Sequence, residues 1–120
     1  MIASFYYLAT PYSKYPAGKE TAVLHAAEAA SLCFQSGILV FSPIAHTHVI
    51  AEAGGLPGDF RQWAEFDKTM ISASSGMIVV KMDGWDESEG ILAEIEICRS
   101  LNKPIYYMNP DGPVPQVRIS

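Results

Sequence analysis

Four short runs of strand-forming residues punctuate the chain, and between them the apolar positions recur at helical steps. Phe5–Ala9 is the first run, and Thr10–Pro16 ends it. Pro11 and Pro16 each lack a backbone donor, and Pro11 pushes Thr10 out of the helical region. From Glu20 to Gln35, Val23, Ala26, Ala27, Ala30, Cys33 and Phe34 repeat every three or four residues, which predicts a helix closed by Gly37. Ile38–Phe41 is apolar on both faces, as a central parallel strand would be, and Ser42–Pro43 ends it. A short helix is expected over His46–Ala53, then a glycine-rich loop, then a helix from Phe60 to about Ser74 capped by Asp59. Met77–Met82 predicts a third strand and residues 83–87 a polar loop. Ser88 is placed to cap a helix from Glu89 to about Asn102, which Lys103–Pro104 breaks before a fourth strand, Ile105–Met108. Three later prolines mark a tail or an edge segment.

Strands alternating with helices imply right-handed crossovers and a parallel sheet. Ligands in such sheets sit beyond the carboxyl ends of the strands. Residues 9–15, 42–48 and 83–90 therefore face one another, and they are the stretches rich in Tyr, Ser, His, Asp and Glu. With 120 residues, one domain spanning 1–120 is expected. The net charge of −5 argues against a nucleic-acid partner, though not against a small anion held by backbone amides. No apolar run has the ~18 residues of a membrane span, and no basic stretch precedes the first apolar run, so no membrane or signal segment is expected. Cys33 and Cys98 fall inside helical patterns and read as buried thiols of a cytoplasmic protein.

Two carboxylates break the helical patterns. On a wheel of about 100° per residue, Ile91, Ile95, Ile97, Cys98 and Leu101 define the apolar arc of the last helix, and Glu94 falls inside it. Asp67 lies four residues after Trp63 and four before Ile71, within the stripe of Phe60, Trp63, Ala64, Met70 and Ile71. An unpaired inward charge is costly. The two acids either have private partners, such as Arg61, Arg99 or a backbone cap, or they share one site. Glu94 also lies about one turn inside a helix N-terminus, whose dipole favours negative charge.

The run Asp83-Gly-Trp-Asp-Glu-Ser-Glu-Gly-Ile-Leu-Ala-Glu-Ile95, followed by Asn102-Lys-Pro-Ile105, resembles the nucleoside 2-deoxyribosyltransferase superfamily. So do the opening Phe5-Tyr-Tyr-Leu-Ala-Thr-Pro-Tyr-Ser13 and the Asp67 helix leading into Ile78–Val80, with a small branch carrying Ser-Pro-x-x-x-x-His after strand two as the nearest pattern. The resemblance implies a flavodoxin-like or Rossmann-like three-layer sandwich with a short, mainly parallel sheet of four to five strands. It implies chemistry at the N-glycosidic bond of a 2-deoxyribonucleoside or its 5′-monophosphate, in a homo-oligomer. Glu94 matches the nucleophile, Asp67 an aspartate that handles the base, and Asp86 a further acid at slightly different spacing. Tyr6 corresponds to the tyrosine that orients the nucleophile, or Tyr7 if the register slips. Glu96 stands where the family has glycine, which motivates an alternative: a nucleotide or nucleotide-sugar binding module without turnover.

Cleavage of this bond passes through an oxocarbenium-like state, so one carboxylate can attack the anomeric carbon while a second acid protonates the base. Water as acceptor makes a hydrolase and a second base a transferase. Ser88 and the amides of Glu89 and Gly90 form a helix N-terminus able to hold a phosphate, or Ser88 simply caps the helix. Thr10, Tyr12 and Ser13, on the loop after strand one, are further substrate-binding candidates. One of His46 and His48, with His48 preferred, is expected to line the pocket. No third metal ligand is apparent at a credible spacing, so no metal is expected. Trp85 is a candidate lid over the base or an oligomer contact. The chain lacks Gly-x-Gly-x-x-Gly after strand one and a Walker sequence, so no dinucleotide or other cofactor is expected.

Overall fold

Side-chain alternation along the first strand sorts the core into two halves. The computed structural model describes residues 4–57 and 61–117. In β1 (Tyr6–Ala9), Tyr6 and Leu8 face one side of the sheet while Tyr7 and Ala9 face the other. The remaining elements are α1 (Lys19–Gln35), β2 (Val40–Phe41), α2 (Pro43–Gly54), α3 (Arg61–Ala73), β3 (Met77–Val80), a 3₁₀ turn (Trp85–Glu87), α4 (Glu89–Ser100) and β4 (Ile105–Met108). The four strands are parallel and lie in the order β2-β1-β3-β4. Cys33 of α1 packs on one face with Leu8, Ile78 and Val80. Ile71 of α3 and Ile91, Ile95 and Cys98 of α4 pack on the other with Tyr7, Met77 and Val79. The expected α/β sandwich on a parallel sheet is the observed one, with four strands.

The chain runs from β1 outward to β2, then crosses back to place β3 on the other side of β1. The connections diverge at the carboxyl ends of β1 and β3, where a crevice opens. No helix among the described residues is long and apolar enough to cross a membrane. Both cysteines are buried free thiols.

Several boundaries differ from the sequence pattern for identifiable reasons. β2 is an edge strand, not a central one. Ile38 and Val40 point into the core, but Leu39 is 44% exposed, so the doubly apolar run reflects a single covered face. Ser42–Pro43 ends β2 as expected, and Pro43 also begins α2 three residues before the expected His46, with Ser42 Oγ accepting from the Ala45 amide at 3.3 Å. In α1 the buried stripe is Ala22, Ala26, Ala29 and Cys33, while Phe34 is exposed. Small residues let that helix approach the sheet closely, which a wheel weighted toward large side chains misplaces by one position. Ala64 of α3 and Leu101 after α4 are also exposed. The expected Asp59 cap and the Phe60 start of α3 lie outside the described residues.

Lys103 does more than interrupt a helix. Its ammonium donates to the carbonyls of Ile71 at 3.2 Å and Ser72 at 2.5 Å, and to that of Ser74. These are carbonyls at the end of α3, where the helix leaves acceptors over; that of Ile71 also accepts from the Ser74 amide at 3.2 Å and hydroxyl at 2.7 Å. Gly76 is the counterpart at the entry to β3, since a Cβ there would sit 2.6 Å from the Pro104 carbonyl oxygen.

Candidate functional site

The pleat of β1 aims Tyr7 between α3 and α4, with none of its surface exposed. Its hydroxyl donates to the Glu94 carboxylate. Glu94 is held there by its own helix. Gly84, left-handed at φ 81°, turns the chain after β3, and Ser88 Oγ caps α4 by accepting from the Ile91 amide at 3.3 Å. Ile91, Ile95 and Cys98 then bury against the sheet, and Glu94, on the same arc, is carried inward with them. Asp67 arrives from α3 one turn before fully buried Ile71, close enough to the Tyr7 hydroxyl for the phenol to favour its charged form. The two anomalous acids therefore share one phenol and one site. Arg99 is exposed on the opposite face of α4.

The electrostatics follow from this enclosure. Burial pushes the Glu94 carboxyl up to about 8; the Tyr7 bond opposes the rise and the Asp67 charge adds to it. Burial raises Asp67 to about 6, again opposed by Tyr7. Burial and the two neighbouring carboxylates push the Tyr7 phenol far upward, so it stays a donor. Near neutrality the pair holds about one proton between two carboxylates.

Both acids open into a cavity of about 610 Å³ at the carboxyl end of the sheet. Thr10, Tyr12, Ser13, Ser88 and Gly90 line it as well. Thr10 is 4% exposed and its Oγ1 has no protein partner. The wall is open at Gly90, where a Cβ would meet only Ser88 Oγ, at 3.8 Å. His48 lies in an adjoining cavity of about 70 Å³ that shares Tyr12, Ile44 and Asp67 with the larger one.

Three expected site residues are elsewhere. Tyr6 faces the α1 side and packs edge-on to Tyr106 at 5.9 Å, because adjacent strand residues point to opposite faces; Tyr7 is the tyrosine that meets Glu94. Trp85 leans on Tyr107 at 5.7 Å and packs against the α3/α4-side core instead of covering the cavity. Asp86 is exposed on the 3₁₀ turn and does not line the cavity. Glu96 is exposed as well, so the departure from glycine there does not reach the cavity wall.

Other wall residues lie on the segments expected to face the site, although the sequence pattern does not single out their side chains. Lys14, Asp83, Glu87 and Glu89 all line the large cavity, and the density of acids around the start of α4 was the available signal. His48 belongs to a network of which only the His48–Glu52 pair, four apart on α2, follows from spacing along the chain. The Tyr12 hydroxyl meets His48 Nδ1 at 2.6 Å, and His48 Nε2 meets Glu52 at 2.9 Å. Glu20 reaches the same place from α1, and ligand atoms of Glu20, His48 and Glu52 lie within 4.8 Å of one another. That trio has the donor types to hold a cation, contrary to the expectation that a third ligand is lacking. Both ring nitrogens of His48 are already engaged, so a cation would displace one of its partners.

Residues 4–110 match a family described as "Domain of unknown function (DUF1937)". No curated protein matches. Among solved structures, the chain is similar to the 2-deoxyribosyltransferase from the psychrotolerant bacterium Bacillus psychrosaccharolyticus, with a TM-score of 0.59 and 22% identity over 94% of this chain and 77% of that one. At that identity the likeness is one of fold.

Proposed function

The chain belongs to this family of unknown function, and for this member we propose cleavage of the N-glycosidic bond of a 2-deoxyribonucleoside through a glycosyl ester on Glu94. The observation that carries the reading is the convergence of Glu94 and Asp67 on the Tyr7 hydroxyl at the wall of a cavity of about 610 Å³. In this reading the ionised Glu94 oxygen bonds to the anomeric carbon as the carbon–nitrogen bond breaks. The bonding pair leaves with the base, which takes the proton held by Asp67. Tyr7 fixes the attacking oxygen and keeps the carboxylate accessible despite its burial. The solved 2-deoxyribosyltransferase of the same fold supports the substrate class.

The wall favours the uncharged nucleoside over its 5′-monophosphate. Among the described residues, Asp67, Asp83, Glu87, Glu89 and Glu94 line the cavity against the single ammonium of Lys14. The positive end of α4 is already matched by Glu89 in its first turn, and a phosphate there would meet like charge.

The test is incubation with the common deoxynucleosides and their monophosphates, followed by chromatography for free base. Release by the wild type and its loss in Glu94→Gln is the expected result. Equal, trace release by both proteins from every substrate would sink the reading.

A further inference from the structure

We propose that the side cavity beside His48 is the seat of the attacking water, with Tyr12, His48 and Glu52 as the relay that removes its proton, which makes the enzyme a hydrolase. This rests on the glycosyl-ester reading and adds the identity of the acceptor.

Three observations carry it. The first is room: the side cavity of about 70 Å³ adjoins the main one and shares Asp67 and Tyr12 with it. A water occupies ~30 Å³ in the liquid. The second is an unsatisfied group, since Thr47 Oγ1 lines this cavity, is inaccessible to solvent and has no protein partner. Thr47, Tyr12 and Asp67 together offer the two to four polar contacts that an ordered internal water takes. The third is the chain of hydrogen bonds. Glu52 accepts from Nε2 of His48 at 2.9 Å, which leaves Nδ1 as the acceptor for the Tyr12 hydroxyl at 2.6 Å. The remaining lone pair of the Tyr12 oxygen is free to accept from a water. Burial and the Glu52 charge push the Tyr12 phenol upward, so it carries its proton in the resting state.

The second half of the reaction then balances. The water oxygen bonds to the anomeric carbon, and the ester bond to Glu94 breaks, its electron pair returning to the carboxylate. One water proton stays on the new sugar hydroxyl. The other passes to the Tyr12 oxygen as the Tyr12 proton moves to His48 Nδ1. The resulting imidazolium lies against Glu52 and Glu20, and it returns its proton to solvent beside the exposed Glu52 carboxylate. The Lys19 ammonium, 5.3 Å from the centre of the Tyr12 ring, is the cation facing this network. It favours negative charge on the phenol oxygen during transfer.

Rapid-quench kinetics with a deoxynucleoside separate the two halves. In His48→Gln, base should appear in a burst equal to the enzyme concentration at close to the wild-type rate. Steady-state turnover should fall on the order of 100-fold, and intact-mass spectrometry should find the sugar on the protein. Glu52→Gln changes an exposed side chain and so keeps the fold; it should slow turnover less and alter the pH profile of the steady state alone. Thr47→Val should likewise slow the second half. Unchanged steady-state rates in His48→Gln and Glu52→Gln, or a burst slowed as much as turnover, would overturn the proposal. Absence of base release from the wild type would instead defeat the parent reading.

Discussion

At the scale of single residues, the Asp67–Glu94 pair sets two pH dependences. Between about 6 and about 8 the shared proton rests mainly on Glu94, whose value is the higher; the proposed reaction runs through the minor arrangement with the proton on Asp67 and the charge on Glu94. Below about 6 both acids are protonated and the nucleophile is lost; above about 8 the last proton leaves and the base departs unaided. Base release should therefore follow a bell with limbs near those values, read as apparent constants of the pair. In Asp67→Asn the alkaline limb should vanish. The acid limb should then follow Glu94 alone, moved below 8 because the Asp67 charge no longer raises it, with a maximum reduced on the order of 100-fold. A pH–rate series of kcat/KM on both proteins checks this. The second dependence is thermodynamic. The Glu94 carboxyl ordinarily titrates at 4.5 and is raised to about 8 in the fold, so its contribution to stability is full below 4.5 and is lost as pH rises toward 8. Glu94→Gln should match the wild-type melting temperature near pH 4.5 and exceed it by several degrees above pH 8. The gain there is about 2 kcal/mol, less than the full shift because solvent still screens a half-buried group.

Elements show how far the sequence could be read. The inward placement of Asp67 and Glu94 was legible because helical periodicity needs only the residues of one helix. The Ser88 cap was legible for the same reason. Tyr6 and Tyr7 were ambiguous because adjacent strand residues differ only in which face they present, and the face is fixed by pairing with β2 and β3. The edge position of β2 and the Tyr12–His48 link were illegible, being products of topology and of contacts between different elements, whereas His48 and Glu52 lie four apart on one helix. Lys103 is another such case: read as a break beside Pro104, it binds the end of α3 from thirty residues away. Lys103→Met keeps the stem and removes the donors. It should lower stability by about 1 kcal/mol in chemical denaturation, since the part-buried Ser74 carbonyl loses its charged donor while that of Ile71 keeps the Ser74 amide and hydroxyl, and Lys103→Arg should recover part of the loss.

At the scale of the whole molecule, charge decides what the crevice admits. The chain carries a net charge of −5, and the cavity concentrates that sign, with carboxylates from α3, α4 and the turn between β3 and α4 and, among the described residues, only Lys14 opposing them. Asp83, Glu87 and Glu89 are exposed, so their field is open to screening, with a Debye length of ~10 Å at 0.1 M salt falling to ~3 Å at 1 M. A deoxynucleoside should therefore be cleaved with a kcat/KM at least 10-fold above that of its 5′-monophosphate at low salt, a difference of about 1.4 kcal/mol. Added salt should narrow the gap by improving only the monophosphate. Replacing Glu87 and Glu89 together by Gln should act in the same direction without salt, through KM, because neither residue reaches the reacting atoms. A monophosphate preferred at every ionic strength would mean that the amides of Glu89 and Gly90, with Lys14, outweigh the surrounding acids. The phosphate would then have to lie along the first turn of α4, where Gly90→Ala would crowd it while leaving the free nucleoside unaffected.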